Sequence, residues 1–217
     1  MLKLQFTGAP DNSLKILCLG AHSDDIEMGC GGSIIKFLNR YPKSEVHWIV
    51  FSSTRDRADE AQRSAELFLA TAGHVEIVIK NFRDSFFPYI GGEIKEYFEE
   101  LKKEVVPDII FTHFRHDLHQ DHRIISELTW NTFRNHLILE YEVLKYDGDL
   151  GAPNFFIHIS KEIACRKVKN IFEVFKSQGH RSWFTEEVFH SIMRIRGIEC
   201  NAPDKYAEAF YCRKMIF

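Results

Sequence analysis

Long apolar runs are missing from this chain: no segment approaches the roughly 20 consecutive apolar residues that span a bilayer, so no membrane span is expected. The opening, MLKLQFTGAPDNSLK, lacks a basic stretch followed by a long apolar one. No secretory signal is therefore expected, and a cytoplasmic location is the default. Cysteine is poorly placed for cross-linking. Cys18, Cys30, Cys165, Cys200 and Cys212 are odd in number and form no C-x-x-C pair, which argues against a disulfide framework or a thiolate zinc site and for buried or inert thiols. Neither sign of charge dominates. With 28 Lys+Arg against 31 Asp+Glu, a net charge of -3 and basic residues scattered among acids, no basic face points to nucleic acid or anionic lipid. The expected partner is a small molecule. Internal repeats, low-complexity tracts and a visible linker are also absent, and a homo-oligomer is compatible with a sequence that does not set the oligomeric state.

What is present is the composition of an ordinary soluble domain, 45% hydrophobic and 27% charged over 217 residues. One domain spanning 1-217 is expected. Apolar runs alternate with amphipathic stretches, the pattern of successive βα units around a mostly parallel sheet. Strands are expected at "KILCLG" (15–20), "VHWIVF" (46–51), "VEIVIK" (75–80), "DIIFTHF" (108–114) and "HLILEYEVLKY" (136–146). Helical patterns cover 32–40, 56–73, 92–105 and 123–135. "DGDLGAP" reads as a turn, Ser160 as the N-cap of a helix through "KEIACRKVKNIFEVFKS", and a last helix near 185–196 precedes a closing strand near 207–216.

Two polar clusters fall at strand ends, where open α/β sheets bind ligands. His22, Asp24 and Asp25 follow the first strand, and "HFRHDLHQDHR" (113–123) follows the fourth, carrying His113, His116, His119 and His122. His, carboxylate and His suit a catalytic divalent ion, because three protein ligands leave a position for water. His22 and Asp25, three residues apart, are aimed together by a turn of helix. His122 is a candidate third ligand, Asp24 a candidate base, and His119 with Asp121 a candidate imidazole–carboxylate pair. The pattern alone leaves open which of the four histidines binds the ion. "GCGGS" is not G-x-G-x-x-G and no P-loop lysine follows, so Gly29, Gly31 and Gly32 read as a tight turn into a helix beginning near Ser33.

These residues resemble the PIG-L/LmbE-type metal-dependent N-acetylglucosamine deacetylases. "AHSDDIEMGCGGS" matches that family's (A/P)-H-P-D-D and G-x-G-G-(T/S) motif with Ser23 in place of proline, and "HQDH" (119–122) matches H-P-D-H with Gln120 in place of proline. Weaker similarities lie at "RADE" (57–60), "FRDS" (82–85), "FKSQ" (175–178) and "YAEAF" (206–210). The resemblance implies an α/β, Rossmann-like three-layer fold. It implies that His22, Asp25 and His122 bind zinc or another divalent ion, that Asp24 is the general base, and that His119, oriented by Asp121, polarises the acetamide oxygen or protonates the leaving amine. Arg57 and Asp84 are implied substrate-binding residues. The implied reaction is removal of an acetyl group from a small-molecule N-acetylated sugar or sugar conjugate. Phe175 stands where many members carry His, and Ser85 where glycine commonly follows the Asp, so the particular sugar does not transfer. The alternatives are another metal-dependent hydrolase such as a phosphoesterase, or a non-catalytic nucleotide-binding module.

Overall fold

The structure is a computed structural model that describes residues 13–216; most of the segment read for a leader lies outside them. Seven strands form one sheet: β1 (Lys15–Gly20), β2 (Glu45–Val50), β3 (His74–Ile79), β4 (Ile109–His113), β5 (Leu137–Tyr141), β6 (Phe155–Ile159) and β7 (Tyr206–Cys212). Their order is β3-β2-β1-β4-β5-β7-β6. The first five run parallel, and β7 is antiparallel to both β5 and β6. Six helices complete the three layers: α1 (Asp25–Arg40), α2 (Arg55–Phe68), α3 (Gly91–Glu104), α4 (Gln120–Thr132), α5 (Lys161–Val174) and α6 (Glu186–Glu199). This is the expected three-layer α/β fold with a mostly parallel sheet.

Alternation along the central strands divides the core in two, because successive strand side chains point to opposite faces. Ile16 and Cys18 of β1, with Ile109 and Phe111 of β4, join the cluster beneath α1, α2, α5 and α6. Leu17, Leu19 and Ile110 join the cluster beneath α3 and α4. From β1 the chain winds outward to β2 and β3, then α3 carries it back across to β4 on the other side. The carboxyl ends of β1 and β4 are thus adjacent at the point where strand order reverses, which is where such a sheet opens a crevice.

Four expectations are corrected. First, α1 starts at Asp25, not near Ser33, so Gly29, Gly31 and Gly32 lie inside the helix rather than forming a turn into it. Glycine costs about 1 kcal/mol against alanine in a helix, which is why the sequence suggested a later start, but packing overrides it here. A Cβ at Gly29 would stand 2.1 Å from Tyr141 Cδ2, and one at Gly31 2.5 Å from Phe68 Cε1. A buried ion pair also grips this stretch: Lys167 Nζ donates to Met28 O and Glu208 Oε1, both at 2.6 Å, while Glu208 accepts the Gly32 and Ser33 N–H groups. Second, α2 closes at Phe68, short of the expected Gly73. Third, β5 stops at Tyr141, and the rest of its apolar run becomes a loop leading away from the sheet. Fourth, "FFIHI" forms β6, a strand that was not among those expected. Ser160 does cap α5, its Oγ accepting the Ile163 N–H at 3.2 Å.

Candidate metal centre

The β1–α1 connection is short because α1 begins at once, and Asp24 and Asp25 occupy its N-cap and first position. Carboxylates are favoured there by the helix dipole. In the connection after the neighbouring strand β4, His119 caps α4: its Nδ1 accepts the Asp121 N–H at 3.3 Å. His122 then falls in the first turn of α4, facing β1.

His22 Nδ1, Asp25 Oδ2 and His122 Nε2 form a close triangle with sides of 3.2, 3.4 and 3.5 Å. Three corners of a tetrahedron whose centre lies 2.0–2.2 Å away are roughly 3.3 Å apart, so these donors fit a divalent ion of zinc-like size. The outer nitrogens support the same fit. His122 Nδ1 lies 2.9 Å from Asp117 Oδ2, and His22 Nε2 lies 3.3 Å from Asp121 Oδ2 and 3.2 Å from Asp84 Oδ1. Ligating imidazoles characteristically place their second nitrogen on a carboxylate in this way, which fixes tautomer and ring orientation. Overlapping donor groups, His22/His119/His122, Asp25/His113/His122 and His22/Asp84/Asp121, crowd the same space.

Geometry separates the four histidines. His113 is buried and stacks on His122 with centroids 3.9 Å apart, but its Nε2 already accepts the Ala21 N–H at 2.9 Å. His116 is exposed and packs edge-on to Phe114. His119 has Nδ1 engaged with the backbone and Nε2 uncommitted. Only His122 presents a nitrogen to both His22 and Asp25.

The two adjacent acids differ. Asp24 is buried, makes no cap hydrogen bond, and has Oδ1 3.0 Å from Arg57 Nη2. Burial raises its pKa above the ordinary carboxylate value, although the Arg57 guanidinium opposes this. For Asp25, burial pulls the same way, but His122 and His113 outweigh it and hold the group well below that value. Burial and the charge of His22 lower the pKa of His119, and burial with His113 pushes His122 down to about 4.

Three of the expected site residues have specific partners in the structure. The Asp121 carboxylate accepts the Ser85 N–H at 2.7 Å and the Phe87 N–H at 3.1 Å and approaches His22. Arg57 turns inward onto Asp24. Asp84, the most exposed of the group, lies against His22, whose hydrogen bond lowers its pKa to about 2. Sequence reasoning passed over Asp117, the partner of His122. The available signal was its place in "HDLHQDH", a carboxylate five residues before a candidate ligand.

Ser85 adopts a positive φ of 65°. The strained turn is held by Asp121 and by Gln120, whose Nε2 donates to Ser85 O at 2.5 Å.

Comparison with solved structures places this arrangement in a known fold. The chain is similar to the conserved protein TT1542 from Thermus thermophilus (18% identity, TM-score 0.71, 94% of this chain and 96% of that one). It is also similar to the N,N'-diacetylchitobiose deacetylase of Pyrococcus horikoshii (20%, 0.60, 92% and 83%). The 4-carboxy-2-hydroxymuconate hydratase GalB of Pseudomonas putida shares the fold as well (16%, 0.68, 94% and 98%). No curated relative matches the chain in sequence. The family model described as PIG-L, GlcNAc-PI de-N-acetylase, matches residues 17–133, a stretch containing both strand-end clusters. That stretch is more than half of the 217 residues, and the chain belongs to this family.

Proposed function

We propose that the protein is a metal-dependent hydrolase that removes the acetyl group from an N-acetylated amino sugar or its conjugate, as one domain over residues 1-217. Family membership supports the reaction. The observation that carries it to this site is the His22–Asp25–His122 triangle, with each imidazole backed by a carboxylate and Asp24 left unliganded beside it. His22, Asp25 and His122 would hold the ion. Zinc suits the donors, and another divalent ion is the alternative. When bound, such an ion supplies Lewis acidity and makes a water acidic near neutral pH.

The protein's own groups supply the rest. Asp24, whose pKa burial raises above the ordinary carboxylate value, would accept the proton of the water. His119 uses Nδ1 to accept a backbone N–H, so in the neutral ring the proton is on Nε2. That N–H can donate to the acyl oxygen as charge develops there, as an oxyanion-hole donor does. Asp24 then returns its proton to the departing amine. Asp121 positions His22 and the 85–87 turn, and Asp84 and Arg57 line the substrate side. The glycine stretch gives no support to a phosphate-cradling role, since it faces Tyr141, Phe68 and Glu208.

The test is incubation of zinc-loaded protein with a panel of N-acetylated sugars, sugar nucleotides and glycosides, following acetate release. Phosphate esters and unsaturated acids serve as competing substrates, because the fold also carries a hydratase. Acetate release lost on His22→Ala and His122→Ala is expected. Turnover of the competing substrates alone would overturn the assignment.

A further inference from the structure

We propose that Lys145 is a positioning residue of the metal centre, holding Asp117 and the turn before His119 so that His122 is aimed at its ligand position. This rests on the metal-dependent reading above. Lys145 lies in the loop that replaces the expected continuation of β5. Its Nζ is 3.0 Å from Asp117 Oδ1 and 2.5 Å from Asp149 Oδ2, and its side chain is 12% exposed. Both carboxylates hold the turn that carries the second cluster. Asp117 takes His122 Nδ1 on Oδ2 and the His119 N–H on Oδ1 at 2.7 Å, while Asp149 Oδ2 accepts the Leu118 N–H at 2.7 Å. Arg123 closes the turn from below, its Nη1 donating to Asp117 O and Leu118 O.

One ammonium therefore joins two carboxylates that would otherwise repel each other at short range. Removing it frees Asp117 to turn away from His122 and releases Asp149 from the 117–119 turn. The effect should remain local. The base of the loop is tied independently: Glu142 accepts the Gly151 N–H and the Tyr211 hydroxyl at 2.8 Å and pairs with Arg196 at 2.7 Å. Lys145 touches no ligand directly, so it acts through Asp117. Outer partners of ligating histidines typically contribute about ten- to a hundredfold in metal affinity.

The experiment measures zinc affinity by competition with a chromophoric chelator, and the visible absorption of the cobalt-loaded protein. Lys145→Met should weaken zinc binding about ten- to a hundredfold and shift the cobalt band, while Lys145→Arg should restore both. A purely structural lysine would change the melting temperature without moving the cobalt band. If Lys145→Met does not fold, Lys145→Gln carries the same expectation. Binding within about threefold of wild type, with an unchanged band, overturns the inference while leaving the proposed function intact. Wild-type protein that binds neither ion and releases no acetate overturns both.

Discussion

Replacing Gly29 with alanine sets two well-measured effects against each other. Helix propensity alone favours the variant by about 1 kcal/mol, since Gly29 is interior to α1. Packing opposes it. The new methyl would lie 2.1, 2.5 and 2.8 Å from three carbons of the Tyr141 ring. That ring is buried, its hydroxyl donates to Leu19 O at 2.7 Å, and its centroid is 4.9 Å from that of His113. Relieving the overlap costs about 1–3 kcal/mol in an overpacked core, here near the upper end because three atoms are involved. Displacing the hydroxyl forfeits about 1 kcal/mol more. The net expectation is a destabilisation of about 2–3 kcal/mol, read by urea denaturation of the metal-free protein. Gly91→Ala is the control: nothing lies within 4 Å of its Cβ, and a gain of about 0.5–1 kcal/mol is expected. Because Tyr141 reaches His113, which stacks on His122, zinc affinity should fall with Gly29→Ala. A Gly29→Ala protein as stable as wild type, beside a stabilised Gly91→Ala, would refute the close packing of α1 on β5.

Asp24→Asn should lower acetate release about 10²–10⁴-fold with zinc stoichiometry unchanged; parallel loss of zinc would make Asp24 a ligand instead. Arg57→Met removes the group that opposes the burial-driven rise in the Asp24 pKa. Since Asp24 must be ionised to accept a proton, the acid limb of kcat/KM should move to higher pH. A higher KM with an unmoved limb would assign Arg57 to the substrate. Zinc binding near pH 7 should release a proton. Burial disfavours charge on His22, but Asp121, Asp25 and Asp84 outweigh it and raise its pKa well above the ordinary value, whereas His122 and Asp25 are already unprotonated. Affinity should therefore climb with pH up to the His22 pKa and flatten above it. Calorimetry in buffers of different ionisation enthalpy checks this, and zero proton release would count against His22 as a ligand.

The parts of the fold legible in the sequence are those set by local pattern. β1 to β4 and the cap at Ser160 follow from apolar runs and hydroxyl placement. What could not be read depends on partners distant in sequence. The glycines of α1 look like turn residues until Tyr141, Phe68 and Glu208 are seen to fill the space their side chains would need. β6 is too short and too close to a helix signal to stand out, and it becomes a strand by pairing with β7. At the site, the residue types were legible because His and Asp concentrate at two strand ends. Their division of labour was less so, since Asp121 serves the backbone of another loop and Asp117 serves His122.

The neighbouring acids Asp24 and Asp25 show how burial can yield opposite chemistry at consecutive positions. Both lose most of their water, which alone raises both pKa values. Asp25 lies in the first turn of α1, with its Oδ2 2.7 Å from the His22 N–H and within 3.5 Å of ring nitrogens on His22, His113 and His122. The backbone N–H and the surrounding imidazoles favour its ionised form, as a ligand must be. Asp24, one step earlier at the cap, instead has its Oδ1 3.0 Å from the Arg57 guanidinium. Burial wins there, and the carboxylate stays closer to the proton affinity a general base needs. A one-residue rotation at the entrance to α1 therefore separates the two roles. An Asp25→Asn protein should lose zinc, whereas Asp24→Asn should keep it and lose turnover. If both lose zinc alike, the two carboxylates act as a joint ligand, and the separation of roles at this helix entrance is wrong.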